Sequence, residues 1–501
     1  MERINKAKLR PVEKVINTQV GSEKKAVTMQ KRYWVKPEEN EAGLKKLGMS
    51  NNEVSIVNRL LENSDKVYIA GGAVRDILSG NKPKDFDIAT NLKPDEIMGI
   101  FDKESAKLTG NVFPTVRVRL GEAELEISTF RKEISSGATG DRNAFQVEYA
   151  DTVEEDLRRR DLTINAMAIN AKTGELIDPF NGREDLKNKE IRFVENAADR
   201  ISEDPLRYLR AVRFKLRIGG EYANSTKKAM SDSDVQKLVL DKVSPDRIRE
   251  EVLKGVASVE KFSGFFNDLN EFGILEHLFP EVHTMVDHDG GPWHGEDVFT
   301  HSMLVGDHYG AANPEDKRDA LGKLAAYFHD IGKPSAYDHA ERTFYDHESV
   351  GAQQIPDILK RYRFSNEEVG FIQTMVANHM KKPTTLKGVR RMYSEIGDNA
   401  GYLLKLSKAD AMSNLRKSPE EVTRSLQVVD EIGGLIDQVK NEKDSFTKIN
   451  VNGNDIMTEF SLKPGPHLRD MLDYAKDLVF EDPVNNDRDS LLTKIRGKFN
   501  L

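Results

Sequence analysis

The chain of 501 residues contains no cysteine, which excludes disulfides, thiolate metal sites and cysteine nucleophiles. No run of roughly 18 apolar residues occurs, and no apolar stretch follows the first methionine, so a soluble cytoplasmic protein without membrane contact is expected. A cationic excess is also missing: 75 lysines and arginines face 83 acids, for a net charge of −8. Any contact with nucleic acid must therefore come from local basic clusters. Histidine is absent from the first 276 residues, and ten of the eleven then fall between His277 and His379. Metal binding is the obvious reading of that crowding. A chain this long exceeds a single core, and about three or four domains are expected.

What is present starts with Lys66 to Asn91. Val67-Tyr68-Ile69-Ala70 is dense in β-formers and reads as a buried strand. Gly71-Gly72 breaks it, and Ala73 to Leu78 reads as a helix. A glycine turn feeding a helix lets backbone N–H groups approach phosphate oxygens. Asp85-Phe86-Asp87 then leads into a second strand, and carboxylates at i and i+2 of a strand share one face, where they can grip the same divalent ions. Cradle, arginine and paired acids together suggest metal-assisted chemistry on a nucleotide. Further on, Val116 to Leu120 and Leu125 to Phe130 alternate as half-buried strands, with Glu126 either a third carboxylate or an ordinary exposed strand residue. Residues 131–146 are rich in glycine and serine and read as a mobile loop.

Three later strings carry chemistry. Arg159-Arg160-Asp161 before Leu162-Thr163-Ile164-Asn165-Ala166 is a charged segment meeting a buried one. Glu203 to Phe214 reads as a helix with Pro205 in its first turn, placing Asp204, Arg207 and Arg210 on one face; by itself this could be a surface salt-bridge ladder. The histidine-rich part offers His301, then His329-Asp330-Ile331-Gly332-Lys333-Pro334, then His347, His379 and Asp410. Imidazoles and carboxylates from separate helices make a site for Mn²⁺, Ni²⁺, Co²⁺, Zn²⁺ or Mg²⁺, with open positions for water and phosphate.

GGAVRD followed by DFDIAT, with RRDLTINA and EDPLRYLRAVRF behind them, resembles the class II tRNA nucleotidyltransferase and bacterial poly(A) polymerase family. The resemblance covers roughly residues 66–281. It implies that Asp85 and Asp87 are catalytic and hold two Mg²⁺ ions. Gly71, Gly72 and Arg75 would meet the triphosphate, Arg160 would touch the nucleotide, and Asp161 and Asn165 would organise the ribose and the interdomain link. Asp204 and Arg207 would form an amino-acid template for the incoming base, leaving Arg210 and Arg213 to the phosphates. That template suits CTP and ATP, since each base presents an amino donor beside a ring-nitrogen acceptor. UTP and GTP present the reverse, and each bidentate contact discriminates by about 1–3 kcal/mol. The loop departs from the family's arginine-arginine-proline pattern, showing Arg142-Asn143-Ala144.

HDIGKP and its neighbours resemble the HD phosphohydrolase superfamily. By that resemblance His301, His329, Asp330 and Asp410 are core ligands, and His347 and His379 complete a second metal position. Phosphatase or 2′,3′-cyclic phosphodiesterase activity is implied. The expected fold is α+β: a nucleotidyltransferase-fold head with a small mixed sheet, an all-α neck, an HD domain and a helical tail. The boundaries read as a basic extension over 1–50, head 51–195, neck 196–281, HD domain 282–420 and tail 421–501. The function expected is CCA addition to the tRNA 3′ end, with no obligate protein partner. Rival readings are a poly(A) polymerase, whose basic element is lacking in LTGNVFPT at 108–115, and a CC-only or A-only enzyme. An HD phosphohydrolase with an RNA-binding head is a rival of another class.

Overall fold

The computed structural model describes residues 39–102, 104–109, 114–134, 146–292 and 294–501, with a short ladder pairing Val12–Glu13 and Lys31–Arg32. Apart from that ladder, the extension up to residue 38, the centre of the expected loop (135–145) and residues 110–113 of LTGNVFPT lie outside the described residues. The chain is α+β and divides into two compact units, Met1–Ser244 and Pro245–Leu501.

The first unit is built on a mixed sheet of seven strands: β1 Val67–Ala70, β2 Asp87–Thr90, β3 Ala106–Thr109, β4 Thr115–Leu120, β5 Ala123–Thr129, β6 Ala168–Asn170 and β7 Leu176–Ile177. Their spatial order is β7-β6-β1-β2-β5-β4-β3, antiparallel throughout except for the parallel pair β2 and β5. Strand alternation explains the two faces. Val67, Ile69, Ile88, Ile127 and Ile169 pack under the helices on one side. Ala70, Ala89 and Ala168 occupy the other, where their small side chains let Phe130, Val153 and Leu157 come close.

Two boundaries differ from expectation. The polar stretch to residue 50 does not stay outside the head: Asn40–Lys46 is a helix, and Leu44, Leu47 and Met49 are buried in the head core. Three apolar side chains with nowhere else to hide outweigh a polar composition. Helix Asn51–Leu61 forms as its periodicity implies, closed by a Ser50–Glu53 capping box. The expected helix over Glu203–Phe214 is instead two, Ala197–Glu203 and Leu206–Ile218. Pro205 lacks an N–H and forces its predecessor out of the helical region, so Asp204 stands extended (φ −142°, ψ 96°) between them.

The second unit is helical. A buried cluster of Phe262, Phe265, Phe266, Tyr327 and Phe328 packs helix Ser263–Glu271 against Lys317–Phe328, with ring centroids 4.8–6.2 Å apart. Helices Val298–His308, His347–Arg361, Asn366–Asn378 and Ala400–Ser413 complete the region that carries the histidines. No described helix is long and apolar enough to cross a membrane.

Candidate functional sites

In the head, Asp85 lies in a bend just before β2 rather than inside a strand, while Asp87 begins the strand. The alternation survives: both acids reach solvent on either side of buried Phe86. The protein surrounding Asp87 raises its carboxyl above the usual range by desolvation; Arg160 pulls it down, and Asp85 and Glu126 push it up again. Register places Glu126 beside Asp87 across the parallel pair. Its carboxylate, however, takes a 2.8 Å ion pair from Arg117.

Gly71 adopts φ +70°, ψ −125°, a conformation for glycine, and a Cβ there would collide with the Arg160 guanidinium. Arg160 thus lies over the turn, with Nη1 3.4 Å from the Asn165 carbonyl and Nη2 3.4 Å from Asp156. Gly72 opens the helix Gly72–Leu78 that carries Arg75. Arg75 is buried, donating from Nη1 to Asn165 Oδ1 at 2.6 Å and from Nη2 to Asp76 at 2.9 Å. Asn165 donates in turn to Asp161 Oδ1 at 3.2 Å, and Asp161 Oδ2 accepts from Arg210 Nε at 2.7 Å. Burial would raise the Asp161 carboxyl, but Arg210 and the Leu162 amide hold it far below the usual range.

A chain Arg75–Asn165–Asp161–Arg210, buried except at half-buried Arg210, therefore ties the glycine helix, the turn Thr163–Asn165 and the helix Leu206–Ile218 together. Arg210, expected at the phosphates, is committed to Asp161. Arg207 is buried and anchored: Nη1 donates to Glu203 at 2.6 Å and to the Arg200 carbonyl at 2.9 Å, Nη2 to the Arg159 carbonyl at 2.8 Å. The guanidiniums of Arg75, Arg210 and Arg213 lie 5.1, 5.5 and 4.5 Å from the centroid of the Phe214 ring. Sequence reasoning passed over Asp156, Glu203 and Phe214. Each stands inside or beside a quoted motif, which was the available signal.

The second unit brings the histidines together. Gly332 packs so tightly on helix His347–Arg361 that a Cβ would strike the His347 and Gly351 backbone, which draws Asp330 up to His347. Asp330 faces both ways. Its Oδ1 is 3.2 Å from His347 Nε2 and 3.5 Å from His379 Nε2. Its Oδ2 is 3.2 Å from His329 Nε2 and 3.8 Å from His301 Nε2. Asp410 Oδ1 lies 3.4 Å from His301 Nε2. His329, His347 and His379 each place Nδ1 on a carbonyl three residues back, which leaves Nε2 turned inward as the ligand atom. Burial lowers the His329 pKa. Burial opposes the charge on His301 too, yet Asp410 and Glu296 carry it up to about 9. Among the described residues, three groupings are close enough to hold a cation: His301–His329–Asp330, Asp330–His347–His379 and His294–Glu296–His301. His294 and Glu296 went unremarked in the sequence, although H-G-E lies in the histidine-rich run.

Three family models match the chain: the poly A polymerase head domain over residues 67–192, the probable RNA and SrmB-binding site of polymerase A over 223–285, and the putative tRNA nucleotidyltransferase domain 2 over 343–495. The chain spans about half the length of the first curated relatives it matches, which bear the names poly(A) polymerase I and CCA-adding enzyme. It is 34% identical to the multifunctional CCA protein of Aromatoleum aromaticum over 309 residues, 60% of this chain and 70% of that one. To the CCA-adding enzyme of Lactococcus lactis it is 26% identical over 449 residues, 88% of this chain and 96% of that one. Among solved structures, the Bacillus stearothermophilus CCA-adding enzyme in complex with CTP shares the fold at a TM-score of 0.62 and 23% identity, covering 90% of this chain and 98% of that one.

Proposed function

We propose, from the premise that this chain belongs to the class II tRNA nucleotidyltransferase and poly(A) polymerase family and is a nucleotidyltransferase, that it adds C, C and A to the tRNA 3′ end. One observation carries the choice within the family. The match to the Lactococcus lactis CCA-adding enzyme runs through 96% of that protein, whereas the match to poly(A) polymerase I of Haemophilus influenzae covers 56%.

In this reading the tRNA 3′-hydroxyl oxygen bonds to the α-phosphorus of CTP or ATP, the bond to the bridging oxygen breaks, and pyrophosphate leaves. Asp85 and Asp87, two exposed carboxylates on one side of a strand start, form an oxygen donor set that fits Mg²⁺. Bound there, the ions would activate the hydroxyl and neutralise phosphate charge. Arg160 presents cationic charge over the Gly71 turn, and Gly72 lets the backbone approach the nucleotide. Arg75, Asn165, Asp161 and Arg210 fix the turn, while Arg213 adds charge beside Phe214. Asp204 and Arg207 read the base, and Glu203 with two carbonyls holds Arg207 rigid enough to discriminate. The tRNA, CTP and ATP are then the partners, and the cytoplasm the compartment.

A second activity rests on Asp330. One carboxylate faces two sets of imidazoles whose Nε2 atoms converge on it, a donor set that fits two divalent transition-metal ions. His301, His329, Asp330 and Asp410 would hold one, Asp330, His347 and His379 the other, for phosphomonoester or cyclic phosphodiester hydrolysis.

The test of the first reading is a tRNA transcript ending at the discriminator base, incubated with Mg²⁺ and each nucleotide singly, then with CTP and ATP together. Extension that stops at CCA is expected. A long adenosine ladder would make the chain a poly(A) polymerase, and a stop at CC a CC-only enzyme.

A further inference from the structure

We infer that the two cation positions around Asp330 are inequivalent, and that Glu296 makes them so by acting as a positioning residue for His301. The inference rests on the reading of the histidine cluster as a metal centre. Three of its histidines place Nδ1 on a carbonyl: 2.9 Å from that of Ala326 in His329, 2.9 Å from that of Phe344 in His347, and 2.7 Å from that of Val376 in His379; Glu348 Oε2 stands 3.6 Å from His347 Nδ1, beyond hydrogen-bond reach. His301 differs. Its Nδ1 lies 3.0 Å from Glu296 Oε1, a carboxylate whose side chain is 3% exposed.

Glu296 is itself held from several directions. Oε1 also takes His294 Nδ1 at 3.2 Å, while Oε2 accepts the backbone N–H of Gly295 at 3.0 Å and of Leu415 at 3.2 Å. The Leu415 contact ties the carboxylate to the segment just past Asp410, another member of the same position. A carboxylate behind an imidazole fixes the ring and makes it a more basic ligand than a carbonyl does.

Formal charge leaves the ranking to Glu296, because two lysines offset the extra carboxylate of the first position. The position formed by His301, His329, Asp330 Oδ2 and Asp410 has two carboxylates; the one formed by His347, His379 and Asp330 Oδ1 has only the shared one. Lys333 and Lys382 work the other way, 2.6 Å from Asp330 Oδ2 and 3.2 Å from Asp410 Oδ2. Each occupies one direction at an oxygen that has two lone pairs, so a cation still finds an acceptor. The outcome is one resident ion at the Glu296-backed position and one exchangeable ion at His347–His379. Hydrolytic activity then follows the filling of the second.

The full-length chain carrying Asp85→Asn and Asp87→Asn, to silence the head, is titrated with Co²⁺ and followed by calorimetry and visible absorption. Two steps of different affinity are expected. His347→Ala should delete the weaker one. Glu296→Gln should weaken the tighter step by about 10–100-fold and leave the weaker alone. Two equal steps, or a tight step untouched by Glu296→Gln, would overturn the inference. So would equal weakening of both steps with a lowered unfolding temperature in cobalt-free protein, which would mean a packing role. Absence of any cobalt binding by the parent chain would remove the metal-centre reading itself, and this inference with it.

Discussion

At the scale of single residues, the most informative group is Asp161. It accepts from Arg210, Asn165 and the Leu162 amide while buried, so its folded pKa is depressed although burial alone would raise it. A depressed carboxylate contributes stability that is fully present above its unfolded pKa of about 4 and is lost as pH falls toward the folded value, because the unfolded chain takes up the proton first. Asp161→Asn should cost about 1.5–3 kcal/mol at neutral pH, since it removes a buried carboxylate that accepts charged hydrogen bonds from half-buried Arg210. The cost should shrink as urea unfolding is repeated at lower pH below about 4. An equal cost at every pH would mean that shape, not charge, is what Asp161 supplies. Gly71→Ala should cost about 1–3 kcal/mol through its backbone conformation. It should also lower nucleotidyl transfer steeply by displacing Arg160, a loss read as kcat/KM for CTP. Much of this residue chemistry was legible in the motifs. The partnerships were not: a sequence shows that Arg210 is cationic, but not that Asp161, 49 positions earlier, folds against it.

Among elements, the break between Ala197–Glu203 and Leu206–Ile218 matters most. The sequence placed Pro205 in the first turn of a continuous helix, and proline does tolerate such positions. The structure uses it instead to stop one helix and start the next, with Asp204 extended in the gap. Propensity alone does not separate these two uses, since both satisfy the missing N–H. The consequence is testable. Pro205→Ala permits a continuous helix that would turn Asp204 away from its present direction relative to Arg207. Fidelity should suffer more than stability: UTP and GTP incorporation should rise by at least tenfold relative to CTP and ATP, about 1.4 kcal/mol of lost discrimination. Unchanged selectivity would take Asp204 out of the template. Strand elements were easier, because β-branched residues alternate cleanly through β1, β4 and β5. Glu126 shows where that ease ends: its register beside Asp87 follows from pairing, while its ion pair with Arg117 depends on a third strand.

At the scale of the whole molecule, the aspartate pair proposed for the head and the histidine cluster of the helical unit differ in ligand chemistry. The head offers oxygen alone; the helical unit offers imidazole and carboxylate, invisible to cysteine-based reasoning but announced by where the histidines cluster. Soft and borderline ions should therefore separate the two. A ligand that binds only the folded state stabilises it by RT ln(1 + [L]/Kd), about 2.7 kcal/mol at a hundredfold excess over Kd. Co²⁺ should accordingly raise the unfolding temperature of the wild-type chain and of Asp87→Asn, and a chelator should reverse the rise. Asp330→Ala removes the one carboxylate common to both positions and should abolish the response. The same variant should still extend a tRNA transcript with CTP and ATP in Mg²⁺, because Asp85 and Asp87 are untouched. Asp87→Asn should show the opposite pattern, with the cobalt response kept and extension lost. If Asp330→Ala also lost extension while keeping its unfolding temperature in metal-free buffer, the helical unit would be contributing to nucleotidyl transfer. The assignment of one chemistry to each unit would then have to be given up.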